Sequence, residues 1–150
     1  MNVSIYQCIG FLATGLRECV SKEFNKRIQH YGITYPHAGV LWICSESENS
    51  QIKLSSFIQV DKNHIRVIID DMEQKGYLYR KRNPKNRKEN LILLTEEGEK
   101  IAQETFQIML ETHADMLLPH ISEDEMATLQ NILYKVFVGL SQSSKLKIME

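Results

Sequence analysis

Prolines are few, at 36, 84 and 119 only. A proline inside a helix removes a hydrogen bond and clashes with the turn before it, so the long stretches between these three are free to be helical. Cysteine is as rare. Cys8, Cys19 and Cys44 form an odd set without metal-type spacing, which excludes a secreted disulfide scaffold. No segment approaches the ~20 consecutive apolar residues that cross a bilayer, so no membrane association is expected. No basic residue precedes the first apolar stretch, as a secretory leader requires, and a cytoplasmic location is the expectation. A glycine-rich phosphate loop, a nucleophile elbow and an HExxH helix are all missing. The histidines at 30, 37, 64, 113 and 120 are scattered, and even His113, Asp115 and His120 fit no standard metal site. These absences point away from an enzyme, and no cofactor is expected.

What is present is an ordinary globular composition, 43% hydrophobic and 25% charged, in a chain of 150 residues that reads as one domain. The net charge of −1 is unevenly spread. From Lys53 to Lys88 ten Lys and Arg stand against four acids, a net of +6, while residues 1–52 are neutral and residues 89–150 carry −7. A cationic patch on a neutral chain can still neutralise phosphates. Taken alone, the same run is equally a solvated charged hairpin.

The apolar spacing divides the chain into helices and one hairpin. Ile5, Ile9, Leu12, Leu16, Cys19, Val20, Phe24 and Ile28 recur at three- and four-residue steps, which predicts one helix over 4–30. Thr34 caps a second helix reaching about Ser45, followed by a polar loop at 46–50. Leu54, Phe57 and Ile58 mark a short helix. Asp61 caps the next, where Ile65, Ile68, Ile69 and Met72 form one apolar face, and Lys75-Gly76 ends it. The period then changes to that of two strands, Tyr77–Arg82 and Asn90–Thr95, joined by the turn-forming segment 83–89. Residues 96–118 and a capping box at Ser122-Glu-Asp-Glu125 open two further helices, with a fraying tail over 141–150. The fold class is therefore mainly α with a small β-hairpin wing: a winged helix-turn-helix at about 34–95, flanked by dimerisation helices at about 4–30 and 96–141.

Two helices, a tight turn and then a hairpin is the order of a DNA-reading head, centred on residues 50–95, whose second helix enters the major groove. With the apolar face turned inward, Lys62, Asn63, His64 and Arg66 face out, followed by Asp70 and Glu73. Phosphate repels the acidic half, so only the first two turns should enter the groove. Asn63 suits a bidentate contact to adenine and Arg66 one to guanine. Lys62 suits a phosphate, and His64 a phosphate or a thymine methyl. In the hairpin, Arg82, Lys85, Arg87 and Lys88 are placed to follow the backbone or enter a narrow minor groove. The first and last helices are more apolar than helices outside a small core should be, which points to burial against a second copy.

From Leu54 to Gly98 the sequence resembles the MarR (multiple antibiotic resistance regulator) family. The resemblance is carried by Asp61-Lys62, Asp70-Asp-Met-Glu-Gln-Lys-Gly76, Asn83-Pro84 and Leu94-Thr95-Glu-Glu-Gly98. It implies a homodimeric transcriptional regulator, usually a repressor, that binds a pseudo-palindromic operator in double-stranded DNA. It also implies release by a small aromatic or phenolic effector in a pocket to which Arg17, Tyr31, Tyr35, His37 and Trp42 are candidates. The sequence departs from the family pattern in three places. Asn63 and His64 stand where small hydroxyl residues are usual. Val67 stands where arginine is frequent. Asn86, Arg87 and Lys88 stand where the wing has Asp-x-Arg, so Asn86 is expected to orient the tip cation, either Arg87 or Lys88, less well than an Asp. Some relatives sense oxidants through a first-helix cysteine, which makes Cys8 a candidate redox residue. Cys8 and Cys19 lie ~16 Å apart along one helix, too far to bridge within it, and a buried inert thiol is the plainer reading of each. The alternatives are a thiol-based redox-sensing regulator of the same fold, or a winged-helix protein-interaction module without DNA binding.

Overall fold

The computed structural model describes residues 2–58 and 60–143. Six helices and a small sheet follow in the order α1 (Ile9–Arg27), α2 (Tyr35–Glu46), β1 (Asn49–Ser50), α3 (Gln51–Ile58), α4 (Lys62–Gln74), β2 (Leu78–Arg82), β3 (Asn90–Leu94), α5 (Glu96–Leu117) and α6 (Glu123–Ser143). The expected tail lies outside the described residues from position 144 onward.

The sheet is antiparallel in the order β1-β3-β2, with Arg82 opposite Asn90 at the wing end and Leu78 opposite Leu94 at its base. The third strand was not foreseen. Asn49 and Ser50, read as loop, pair with Ile92 and Leu91 and are buried. A two-residue strand has no alternation to betray it. Ser50 also caps α3, its hydroxyl accepting the Lys53 N–H at 3.2 Å.

The single helix expected over 4–30 is interrupted at both ends. A 3-10 turn spans Ile5–Gln7, Cys8 is extended (φ −84°, ψ 106°), and α1 starts only at Ile9. The first turn of α1 has neither a side-chain cap nor an acidic residue, so nothing local extends the helix backwards. At the other end Gln29–Tyr31 tightens into a second 3-10 turn, and Gly32 closes it at φ +70°.

One core joins Phe24 of α1 and Ile28 at its C-cap, Val40 and Leu41 of α2, Leu54 of α3 and the four apolar residues of α4. Leu78, Ile92, Ile101 and Met109 complete it. Thr105 and Thr112 are buried in α5 without penalty, because each hydroxyl donates to the carbonyl one turn back, both at 2.7 Å. The apolar residues of the first half of α1 stay outside this core, with Ile9, Phe11 and Leu12 exposed, and no described residue of α6 is buried.

The wing base and α5 meet at one tight joint. The Thr95 hydroxyl donates to the Gly76 carbonyl at 2.6 Å and accepts the Gly98 N–H at 3.0 Å, capping α5. The helix passes so close to the hairpin that a Cβ on Gly98 would collide with the Tyr77 carbonyl oxygen and lie 2.8 Å from its carbon. Both partners are backbone and cannot rotate away. Gly98→Ala is therefore expected to destabilise the fold by about 2–3 kcal/mol, roughly a 5–10 °C drop in thermal midpoint. A midpoint equal to that of the unaltered protein would show that the joint gives way.

Candidate nucleic-acid interface

Helix α4 begins at Asp61, whose carboxylate accepts the His64 N–H at 2.8 Å. Its core face holds Ile65, Ile68, Ile69 and Met72, all at 2% exposure or less. That packing fixes the rotation of the helix and leaves Lys62, Asn63, His64, Arg66 and Val67 in solvent. The predicted reading residues thus share one uninterrupted face over the first two turns.

The acidic second half faces solvent as the sequence suggested, but its carboxylates are paired. Arg80 of β2 reaches across to it. Its guanidinium donates to Asp70 at 2.6 Å, to Glu73 at 3.0 Å and to Gln51 at 3.3 Å, and its backbone N–H reaches Glu73 at 3.0 Å. One arginine therefore neutralises two carboxylates and ties wing, α3 and α4 together. The third acid, Asp71, pairs with Lys75 at 2.8 Å and with His37 Nε2 at 3.1 Å. Chiefly the Lys75 hydrogen bond holds the Asp71 carboxyl below its ordinary range. Burial pushes the His37 pKa down despite Asp71. The neutral ring suits its partners: Nδ1 accepts the Thr34 N–H at 3.3 Å, leaving Nε2–H for Asp71.

The wing is held by its asparagines. Asn83 N–H donates to the Glu89 carbonyl at 3.1 Å, while Asn83 Oδ1 accepts the Lys85 N–H at 3.0 Å. Asn86 repeats the second device, its Oδ1 accepting the Lys88 N–H at 3.2 Å. Asn86 therefore supports the turn from its own side chain. The side chains of Arg82, Lys85, Arg87 and Lys88 project into solvent and, like those of Lys62 and Arg66, enter no ion pair with a described residue. A cleft of about 150 Å³ separates helix and wing, lined by Gln51, Ile52, Lys62, Ile65, Lys88, Glu89 and Asn90. It places a cation from α4, Lys62, and one from the wing, Lys88, on the same opening.

The expected effector residues divide. Arg17, Tyr35 and Trp42 line a cavity of about 360 Å³ with Gly39, Ile43, Phe57 and Ile58. Arg17 and Tyr35 also border a larger apolar cavity of about 410 Å³ between α1, α5 and α6. Tyr31 and His37 are not among the residues lining either. Tyr31 turns to α5, donating to Glu104 at 2.7 Å, and burial with that carboxylate pushes its pKa up to about 12. His37 is engaged with Asp71. Proximity in sequence made both candidates, but the direction of each side chain is set by the helix it packs against. Asp115, weighed with His113 and His120, pairs instead with Arg27 at 2.8 Å.

Cys8 and Cys19 are exposed in this chain, which corrects their reading as buried thiols, and Cys44 is the buried one. Burial above all pushes Cys44 up to about 12, leaving it an inert thiol. Among the described residues no helix is long and apolar enough to cross a membrane.

Residues missed from sequence are Gln51 and Ile52 in the cleft, Arg80 as a clasp, and Val67, which is 61% exposed on the reading face. Arg80 was counted only as one more cation of the hairpin. The sole available signal was the acid pair Asp70 and Glu73, unexplained on a helix otherwise suited to phosphate.

Comparison with known proteins agrees with this geometry. Residues 33–89 match the MarR family. Over 126 residues, 83% of this chain and 84% of the relative, the sequence is 25% identical to the organic hydroperoxide resistance transcriptional regulator of Bacillus subtilis (strain 168). A MarR-family transcriptional regulator from Rhodococcus sp. RHA1 superposes with a TM-score of 0.82 at 21% identity, over 90% of this chain and 96% of that one. A cysteine-to-serine mutant of MarR from E. coli, solved in complex with operator DNA, gives 0.72 at 24% identity over 90% of this chain and 99% of its own. The matched segment runs from just before α2 to the end of the wing loop, short of β3, and the surrounding helices share the fold of these MarR-family structures.

Proposed function

We propose that this protein is a homodimeric transcriptional regulator, acting as a repressor, that binds a pseudo-palindromic site in double-stranded DNA. The observation that carries the reading is the single open face of α4. It offers Lys62, Asn63, His64 and Arg66 to solvent, beside a wing that adds five exposed cations of its own. Unpaired cations repel one another, and the fold keeps them together where a polyanion would relieve them. Asn63 and Arg66 serve as base readers; Lys62 and the wing set position on the backbone. The relative solved with operator DNA supports placing such a head on a duplex.

The dimer follows from what stays uncovered. A 21-residue helix that buries none of its described residues, with Ile132, Leu133, Val136, Phe137 and Leu140 all more than 40% exposed, needs a partner surface. The same holds for the first half of α1, and an isologous pair covers both. Two heads related by a two-fold axis read half-sites about 10 bp apart. The cavity bordered by Arg17, Tyr35 and Trp42 suits a small aromatic acid, its carboxylate on Arg17, bound where dimer helices and head meet.

The test is electrostatic. Lys85, Arg87 and Lys88 changed together to Ala should weaken binding to every duplex alike. They should also flatten the plot of log affinity against log salt by roughly 0.9 for each phosphate no longer neutralised. A slope identical to that of the unaltered protein would remove the wing from the interface.

A further inference from the structure

We infer that Val67 reads the methyl group of a thymine beside the base pair that Asn63 contacts. The inference rests on α4 being the helix that enters the groove, and it adds an apolar base feature to the hydrogen-bonding edges read by Asn63 and Arg66. Val67 is 61% exposed in the middle of α4, while the core face is already complete with Ile65, Ile68, Ile69 and Met72. It therefore contributes nothing to the core. As a β-branched residue on an open helix surface it costs helix stability rather than adding to it. Its neighbours on the open face are Asn63, one turn earlier, and Arg66. One turn later the row ends at Asp70, which is drawn onto Arg80 at 2.6 Å. Val67 is thus the last residue of the open face before the clasp, and the only apolar one on it.

Valine has no side-chain donor or acceptor, so the hydrogen-bonding edges of bases are closed to it. The one apolar feature on the floor of the major groove is the thymine C5-methyl. Four residues along an α-helix span ~6 Å, about two base-pair steps at ~3.4 Å per step. A helix following the groove therefore sets the thymine one or two base pairs from the adenine that Asn63 reads.

The test uses duplexes recovered by the unaltered protein from a random pool. Each thymine in turn, in both half-sites, is replaced by deoxyuridine, which removes the methyl and keeps the base pair. One position in each half-site should matter, with binding roughly fourfold weaker per methyl and about fifteenfold weaker when both half-sites are changed. Val67→Ala and Val67→Ser should bind the thymine duplex more weakly, and their preference for thymine over deoxyuridine should shrink to less than about twofold, with the thermal midpoint not lowered. Indifference of the unaltered protein to every methyl overturns the inference, and so does a preference that survives in both variants. Failure to recover any enriched duplex overturns the groove reading of α4 itself, and is distinguishable because no sequence selectivity then exists to measure.

Discussion

Arg80→Ala should weaken duplex binding by about two orders of magnitude while leaving the protein folded. The side chain lies in the wing strand but acts on α4. Its removal frees Asp70 and Glu73, held at 2.6 and 3.0 Å, on the helix proposed to approach phosphates. It also cuts the tie to Gln51 at 3.3 Å that sets the wing against α3. Each head loses one positive charge and uncovers two negative ones, and a dimer suffers this twice. The carboxylates are themselves half-exposed, at 57% and 42%, so the cost to folding is small, as is usual for solvent-screened pairs. Arg80→Lys separates charge from geometry. It keeps the cation but cannot fork across two carboxylates, and should recover only part of the affinity. Adding Asp70→Asn and Glu73→Gln to Arg80→Ala should restore much of it, because the repulsion is then gone. Full affinity in Arg80→Ala, measured by titration of a labelled duplex, would show that the clasp has no part in binding.

Leu133→Glu combined with Phe137→Glu should convert the protein to a monomer and reduce affinity for a two-half-site duplex by about a thousandfold. The two positions are one turn apart on α6, are 47% and 41% exposed in the single chain, and border the same apolar groove. Neither is part of the core of its own chain, so the head should keep its helical content and melt cooperatively. The loss arises from connection rather than contact. A single head retains its half-site interactions but loses the effective concentration that a linked second head supplies. Sedimentation gives the mass and duplex titration the affinity. A dimer that persists through both substitutions would place the interface elsewhere.

Much of this was legible in the sequence because it follows from period and punctuation. The alternation of three- and four-residue spacing defined the buried face of α4, and Asp61 and Gly76 its ends. The change to a two-residue period at Tyr77 marked the hairpin. The candidate readers Lys62, Asn63, His64 and Arg66 emerged by elimination, since an amphipathic helix with a fixed buried face has only one other face to offer. What stayed hidden depends on how distant segments meet. Arg80 reaches Asp70 and Glu73 only after β2 folds back along α4. Tyr31 and His37 come from segments that border the cavity, yet each packs against a different helix. Gly98 resembles any helix-opening glycine until the Tyr77 carbonyl is seen against it. The exposure of Cys8 and Cys19 was hidden for a related reason, because an apolar stripe says that a surface is covered without saying by which chain.

The open face of α4 and its wing are proposed to fit a DNA groove together, and every functional statement above depends on that fit. Its most direct measurement is selection of duplexes by the unaltered protein from a random pool, with the affinity of the winners then followed across salt concentrations. Groove binding predicts enrichment of a two-fold symmetric sequence with half-sites about one helical turn apart, and an affinity that falls steeply as salt rises. A pool that never converges, or an affinity that salt leaves unmoved, would contradict it.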